Sequence, residues 1–246
     1  MNIANYIAMI PARMGSERLK CKNLRLLSGK PVIAHAIDAA KDSGIFSRIV
    51  VNSEHDAFGE VAERYGVEFY QRPAELGSSE ARSDDVVVDF MSHHSGDLLV
   101  WVNPIAPLQP ASEIRDAVTF MQEGGFDTVI TTKREYLHSL FRGQPLNFSC
   151  TERFAKTQDL EPVESFVYSL MMWNYASFLN AYQQNGYAVL SGKVGYYPVA
   201  RQSTILIKYE EDLQMCEALL RMKEGYQADY DPVLEQSAGK VVNRNG

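Results

Sequence analysis

Residues 5–23 read NYIAMIPARMGSERLKCKN, and the change of character halfway along this stretch decides the fold. Tyr6 to Ile10 is a short, nearly continuous apolar run ended by Pro11, the pattern of a strand buried on both faces. Past Pro11 the chain gathers Arg13, Arg18, Lys20 and Lys22 around Gly15 and Ser16. In a parallel α/β sheet, ligands bind in the crevice beyond the carboxyl ends of the strands. A basic turn of small residues placed there is a candidate anion site. Gly15 lets the backbone bend, successive N–H groups form a nest, Ser16 offers a hydroxyl, Arg13 a planar fork and Lys22 a compact charge. The spacing is neither GxxxxGK[ST] nor GxGxxG, so the loop is not a P-loop or a dinucleotide fingerprint. From the residues alone, a solvated basic loop is the competing reading.

The rest of the first half supports a parallel sheet. PVIAHAIDAAKDSG (31–44) has proline at its start and Gly44 at its stop, which predicts an amphipathic helix. RIVVNS (48–53) reads as a strand, DAFGEVAERYG (56–66) as a helix capped by Asp56, and VEFYQR (67–72) as a strand. SDDVVVDFMSHHSG (83–96) predicts a helix with Ser83 as its cap, DLLVWVN (97–103) a central strand, ASEIRDAVTFMQEGG (111–125) a helix and FDTVITT (126–132) a strand. Strands alternating with helices predict a three-layer α/β/α, Rossmann-like fold with a mostly parallel sheet. From about 133 to 175 the rhythm breaks, and this stretch is expected to be an insertion, a lid or dimer arm, within a single domain spanning 1–246. After it, KVGYYPV (193–199) and STILIKY (203–209) read as β-rich, EEDLQMCEALLRMKEG (210–225) as a helix and SAGKVVNRNG (237–246) as a frayed tail.

Composition narrows the partners. With 46% hydrophobic and 22% charged residues the chain is of ordinary globular type, able to bury a sizeable core. A net charge of −7 argues against a nucleic-acid polymer, which needs a basic face, but leaves room for a small phosphorylated ligand in a local pocket. No apolar run approaches the roughly 18 residues of a membrane span, and the Met1 end shows no signal-peptide pattern. Cys21, Cys150 and Cys216 are odd in number and form no CxxC pair, so reduced thiols in a cytoplasm are expected rather than a disulfide frame or zinc site.

IPARMGSERLKCKN (10–23) resembles the nucleotide-binding signature of the CTP-dependent sugar nucleotidyltransferases, in particular the acylneuraminate cytidylyltransferases. RPAEL (72–76), NPIAPLQPASEI (103–114) and EEDLQMCEALL (210–220) resemble further family segments in the same order. The resemblance implies a nucleotide-diphospho-sugar transferase fold, a homodimer, and transfer of CMP from CTP to an acidic nine-carbon 2-keto-3-deoxy sugar with release of pyrophosphate. It implies that Arg13, Ser16 and Lys22 hold the triphosphate, with Arg13 and Lys22 catalytic and Asn23 supporting the loop. It also implies that Arg72, Ala81 and Ser83 form the cytosine pocket, and that Asn103, Gln158 and Asp159 meet the acceptor sugar.

One departure stands out. The family's two metal-holding aspartates, spaced i, i+2 on a strand and implying Mg²⁺, correspond here to Leu206 and Lys208. Three readings follow from the residues: Glu210, Glu211 or Asp212 holds the metal instead; Lys208 supplies part of the metal's charge; or the protein is a degenerate homologue that binds nucleotide or sugar without turnover. Asp212 also has a simpler role, since an acid at a helix start is stabilising on its own. In the acceptor segment, the family's Asn-Gly pair corresponds to Tyr168 and Ser169. His93 and His94 lack partner ligands at helical spacing and read as helix-end residues, Trp101 reads as core, and Ser16 has no histidine that would make a hydrolase triad. An unrelated flavodoxin-like binding module is the remaining alternative; it leaves Arg13 and Arg72 without a common task.

Overall fold

The computed structural model describes residues 5–222. Its first strand, β1 (Tyr6–Pro11), is followed by a small antiparallel pair, β2 (Leu26–Leu27) and β3 (Lys30–Pro31), which hands the chain to α1 (Val32–Ser43). Then come β4 (Arg48–Ser53), α2 (Ala57–Arg64), β5 (Glu68–Gln71), α3 (Ser83–His93), β6 (Leu98–Val102), α4 (Ala111–Gly124) and β7 (Thr128–Glu135). A second small pair, β8 (Leu140–Phe141) and β9 (Gln144–Pro145), precedes β10 (Val163–Asn174), α5 (Tyr175–Asn185), β11 (Val194–Pro198) and α6 (Glu210–Arg221).

Seven strands form one sheet in the order β11-β7-β10-β6-β1-β4-β5. β1 pairs in parallel with β4 and β6, β5 with β4, and β11 with β7; β10 alone runs antiparallel, between β6 and β7. One face carries Ile33, Ile37, Phe58, Ile114 and Val118 from α1, α2 and α4; the other carries Val87, Phe90 and Phe178 from α3 and α5. The molecule is therefore the three-layer Rossmann-like α/β fold that the alternating pattern predicts.

Several expectations need correction. The stretch expected to be an insertion from 133 to 175 contains the end of β7 and all of β10, a strand at the heart of the sheet. A bulge between Phe166 and Met171 interrupts β10, and Tyr168 there takes a left-handed φ of 57°. The bulge shifts which face each side chain occupies, so the period of two that marks a strand is lost from the sequence. What remains outside the sheet is the arm 136–162. The segment 203–209, expected to be β-rich, is a 3-10 turn (Arg201–Thr204) followed by extended chain with a single bond to its neighbour, Ile207 N–H to Ile105 O at 2.7 Å. Pro104 and Pro107 in that neighbouring loop have no N–H to continue a ladder. Ser83 is the first residue of α3 rather than its cap, which is Arg82, and the Asp56 side chain makes no capping bond. The tail 237–246 and the end of the last predicted helix lie outside the described residues.

Candidate active site

The loops after β1, β5 and β6 meet over the carboxyl edge of the sheet and enclose a cavity of about 370 Å³. Arg13, Ser16, Lys22, Asn23, Arg72, Ala81, Ser83 and Asn103 all line it, although they come from three separate parts of the chain. Arg18, Trp101, Ile105 and Lys208 line it as well. Of the four basic residues in the opening stretch, Lys20 does not line the cavity and is exposed.

The basic loop is held at both ends. At its start, Ala12 N–H donates to Asn52 O at 2.9 Å, extending the β1–β4 pairing. The Glu54 carboxylate accepts from Met14 N–H at 2.8 Å and from Arg72 Nη2 at 2.9 Å, while the same Nη2 donates to Ala12 O at 2.7 Å. Arg72 is only 5% exposed, and burial pulls its pKa down while Glu54 opposes the shift. Glu54 is thus the brace between the loop after β1 and the RPAEL segment, and sequence reading missed it. A usable signal was its place directly after a buried strand, at the end where ligands bind. Gly77 makes the brace sterically feasible, because a Cβ there would collide with the Glu54 carboxyl group. Further along, Leu19 packs with Leu27, Val32, Ile207, Leu213 and Cys216, which seats the loop on the start of α6.

That second anchor also brings Lys208 to the cavity. Ile207 is fully buried in the cluster and Ile205 packs against it, so the intervening parity carries Lys208 to the other side of the extended segment. Burial, then the charges of Arg18, Arg13 and Lys208, lower Lys22 to a pKa of about 8. Arg18 also lies over the Tyr209 ring at 5.7 Å. Glu17 is the single carboxylate among the lining residues. Two of the three acids considered as substitute metal ligands, Asp212 and Glu210, are engaged elsewhere. Asp212 accepts from the N–H groups of Lys208 and Tyr209, both at 2.8 Å, and so caps α6, while Glu210 pairs with Arg25 at 2.8 Å. Among the described residues no group of three His, Cys, Asp or Glu is placed to hold a metal ion. A Mg²⁺ donor set of carboxylate oxygens does not fit what surrounds this cavity.

Buried polar atoms at the cavity lack partners. Asn23 Oδ1, Arg72 Nε and Trp101 Nε1 have no hydrogen-bond partner, and Asn23 and Arg72 are 4% and 5% exposed. Such orphans cost about 1–3 kcal/mol each unless a ligand or water satisfies them. Trp101, expected to be core, is half-buried and forms part of the wall.

The acceptor residues do not assemble as expected. Asn103 lines the cavity, but its Nδ2 donates to Tyr168 O and its N–H to Ser169 O, both at 3.0 Å, so its amide group secures the β10 bulge. Gln158 and Asp159 sit in a 3-10 turn of the arm, exposed and away from the cavity. His93 and His94 close α3: His94 lies against the Phe90 ring at 4.3 Å and takes a hydrogen bond from Arg48 at 3.1 Å.

Comparison with known proteins agrees with this geometry. The sequence matches the family described as cytidylyltransferase over residues 7–231. An N-acylneuraminate cytidylyltransferase of Streptococcus agalactiae is 26% identical over 254 residues, which cover 96% of this chain and 60% of that protein. A CMP-N,N'-diacetyllegionaminic acid synthase of Legionella pneumophila is 34% identical over 129 residues, 50% of this chain and 56% of that protein. The chain spans about three fifths of the length of the streptococcal relatives it matches. Among solved structures, CMP:2-keto-3-deoxy-manno-octonic acid synthetase complexed with CTP shares the fold, with a TM-score of 0.66 at 14% identity over 88% of this chain and 98% of that one. The family match runs through the loop, the brace and the segment that carries Lys208, and the chain belongs to the cytidylyltransferase family.

Proposed function

We propose that this protein transfers CMP from CTP to a 2-keto-3-deoxy acid sugar of the sialic or related nonulosonic type, releasing pyrophosphate. The observation that carries the reading is convergence: the residues expected at the triphosphate and at the cytosine line one cavity at the carboxyl edge of the sheet. In this reading the anomeric hydroxyl oxygen of the acceptor forms a bond to the α-phosphorus. The bond from that phosphorus to the bridging oxygen breaks, its electron pair leaves with pyrophosphate, and the hydroxyl proton passes to water. Displacement of this kind depends on positioning and on neutralising charge. Arg13 and Lys22 supply both at the phosphates, Ser16 and the loop N–H groups add donors, and Arg72, Ala81 and Ser83 frame the base.

The arm 136–162 exposes Leu137, Leu140, Phe141, Leu146 and Phe154, an apolar surface suited to a second copy of the chain. A homodimer formed through the arm would give Gln158 and Asp159 a route to a neighbouring cavity. Among the described residues no helix is long and apolar enough to cross a membrane, and a cytoplasmic enzyme is our reading. The test is pyrophosphate release from CTP, and from ATP as control, over a panel of nonulosonic and octulosonic acids. Release with CTP and at least one acceptor supports the reading. One observation favours a second reading, nucleotide binding without turnover: a cation stands where the metal-holding acids were expected. Tight CTP binding with no release on any acceptor would establish that alternative.

A further inference from the structure

The cavity is lined by Arg13, Arg18, Lys22 and Lys208 with one acid, Glu17, and by Arg72, whose charge Glu54 balances at 2.9 Å. A divalent cation entering beside Lys208 would meet like charge and no set of carboxylates. Lys208 itself is well held for a role at the phosphates. The preceding residue is pinned through Ile207 N–H to Ile105 O at 2.7 Å, and Lys208's own N–H is fixed on Asp212 at 2.8 Å. The backbone that presents the ammonium is therefore fixed before any ligand arrives, which lowers the ordering cost of binding. Its charge also reaches the loop, since Lys208 is among the cations that depress Lys22.

We propose that in this chain the Lys208 ammonium, acting with Lys22, takes the place of a divalent cation at the nucleotide phosphates, so that the ligand is free CTP rather than its magnesium complex. The proposal rests on the CTP reading above. Free CTP keeps the negative charge that Mg²⁺ would cancel, and that charge is what an unbalanced group of cations attracts.

Calorimetric titration of the full chain with CTP, in excess EDTA and in excess Mg²⁺, tests this directly. The expected result is binding in EDTA at least as tight as in Mg²⁺. Lys208→Met, which keeps the apolar stem, should weaken binding in EDTA by roughly 10- to 100-fold, as loss of a charge-assisted hydrogen bond does. Lys208 is exposed apart from its cavity contact, and an unchanged circular dichroism spectrum and melting temperature will confirm that the variant is folded. Pyrophosphate release should likewise persist in EDTA. Binding that requires Mg²⁺, or a Lys208→Met affinity equal to wild type in EDTA, overturns the proposal while leaving the CTP reading intact. No CTP binding in either buffer overturns both.

Discussion

The two sides of the cavity hold their cations in opposite states. On one side Arg72 is buried against an acid: Glu54 pairs with it at 2.9 Å, and Ala12 O takes a second bond. On the other side Lys22, Arg18 and Lys208 face one another, and Lys22 loses proton affinity because of burial and its cationic neighbours. The first side spends its charge on architecture, tying the loop after β1 to the segment after β5. The second leaves its charge unbalanced, a cost to the empty protein that an anionic ligand would remove. Substitutions on the first side should therefore act on folding, and those on the second on binding.

The largest effect should fall on the balanced side. Glu54→Ala leaves a buried guanidinium without its partner, and we expect a loss of about 3–5 kcal/mol in denaturant unfolding. A loss below about 0.5 kcal/mol would mean that the brace carries no weight. Next, Arg13→Ala should weaken CTP binding by about 1–3 kcal/mol with little change in melting temperature; unchanged affinity would remove the loop from the site.

Lys22→Met should do the reverse of Glu54→Ala, stabilising the empty protein by about 1–2 kcal/mol below pH 8 after allowance for solvent screening, while weakening CTP binding. The sign follows from linkage. The folded-state pKa lies near 8 and below the ordinary 10.5, so the unfolded chain binds more protons between those values. Wild-type stability therefore gains with rising pH across that window, and the advantage of Lys22→Met should shrink toward pH 10. Equal melting curves for the two proteins at pH 7 and pH 10 would contradict the unbalanced-cation picture. The smallest effect is expected for Asp212→Ala, about 1 kcal/mol from a lost helix cap. If Asp212 were instead a metal ligand, the same change would alter the response of CTP binding to Mg²⁺.

Much of this was legible in the sequence. Apolar runs such as Ile7–Ile10 and Leu98–Val102, with glycine at helix ends, marked the parallel half because local pattern and fold agree there. The basic loop and the RPAEL segment named much of the cavity's lining, and the replacement at 208 is visible in the residues themselves. The misses have physical causes. β10 hides because its bulge at Tyr168 breaks the alternation, and its second half, buried on both faces, shows no alternation to read. Helix α5 went unread although Asn174 caps it, accepting from Ser177 N–H at 3.1 Å, and Gly186 ends it with a left-handed φ. Glu54 escaped because it lies 40 residues along the chain from the Met14 N–H it holds, and no local motif marks it. Asn103 was misassigned in emphasis: position in the loop was readable, but the donation of its amide to Tyr168 O depends on a tertiary neighbour 65 residues away.

A crystal structure of the full chain grown with CTP would show directly whether the cavity's cations meet the nucleotide. Triphosphate oxygens are expected within hydrogen-bond distance of Arg13, Lys22 and Lys208, with the cytosine lodged between Arg72 and the start of α3. A nucleotide bound elsewhere, or a cavity whose cations still face only water at saturating CTP, would contradict this placement.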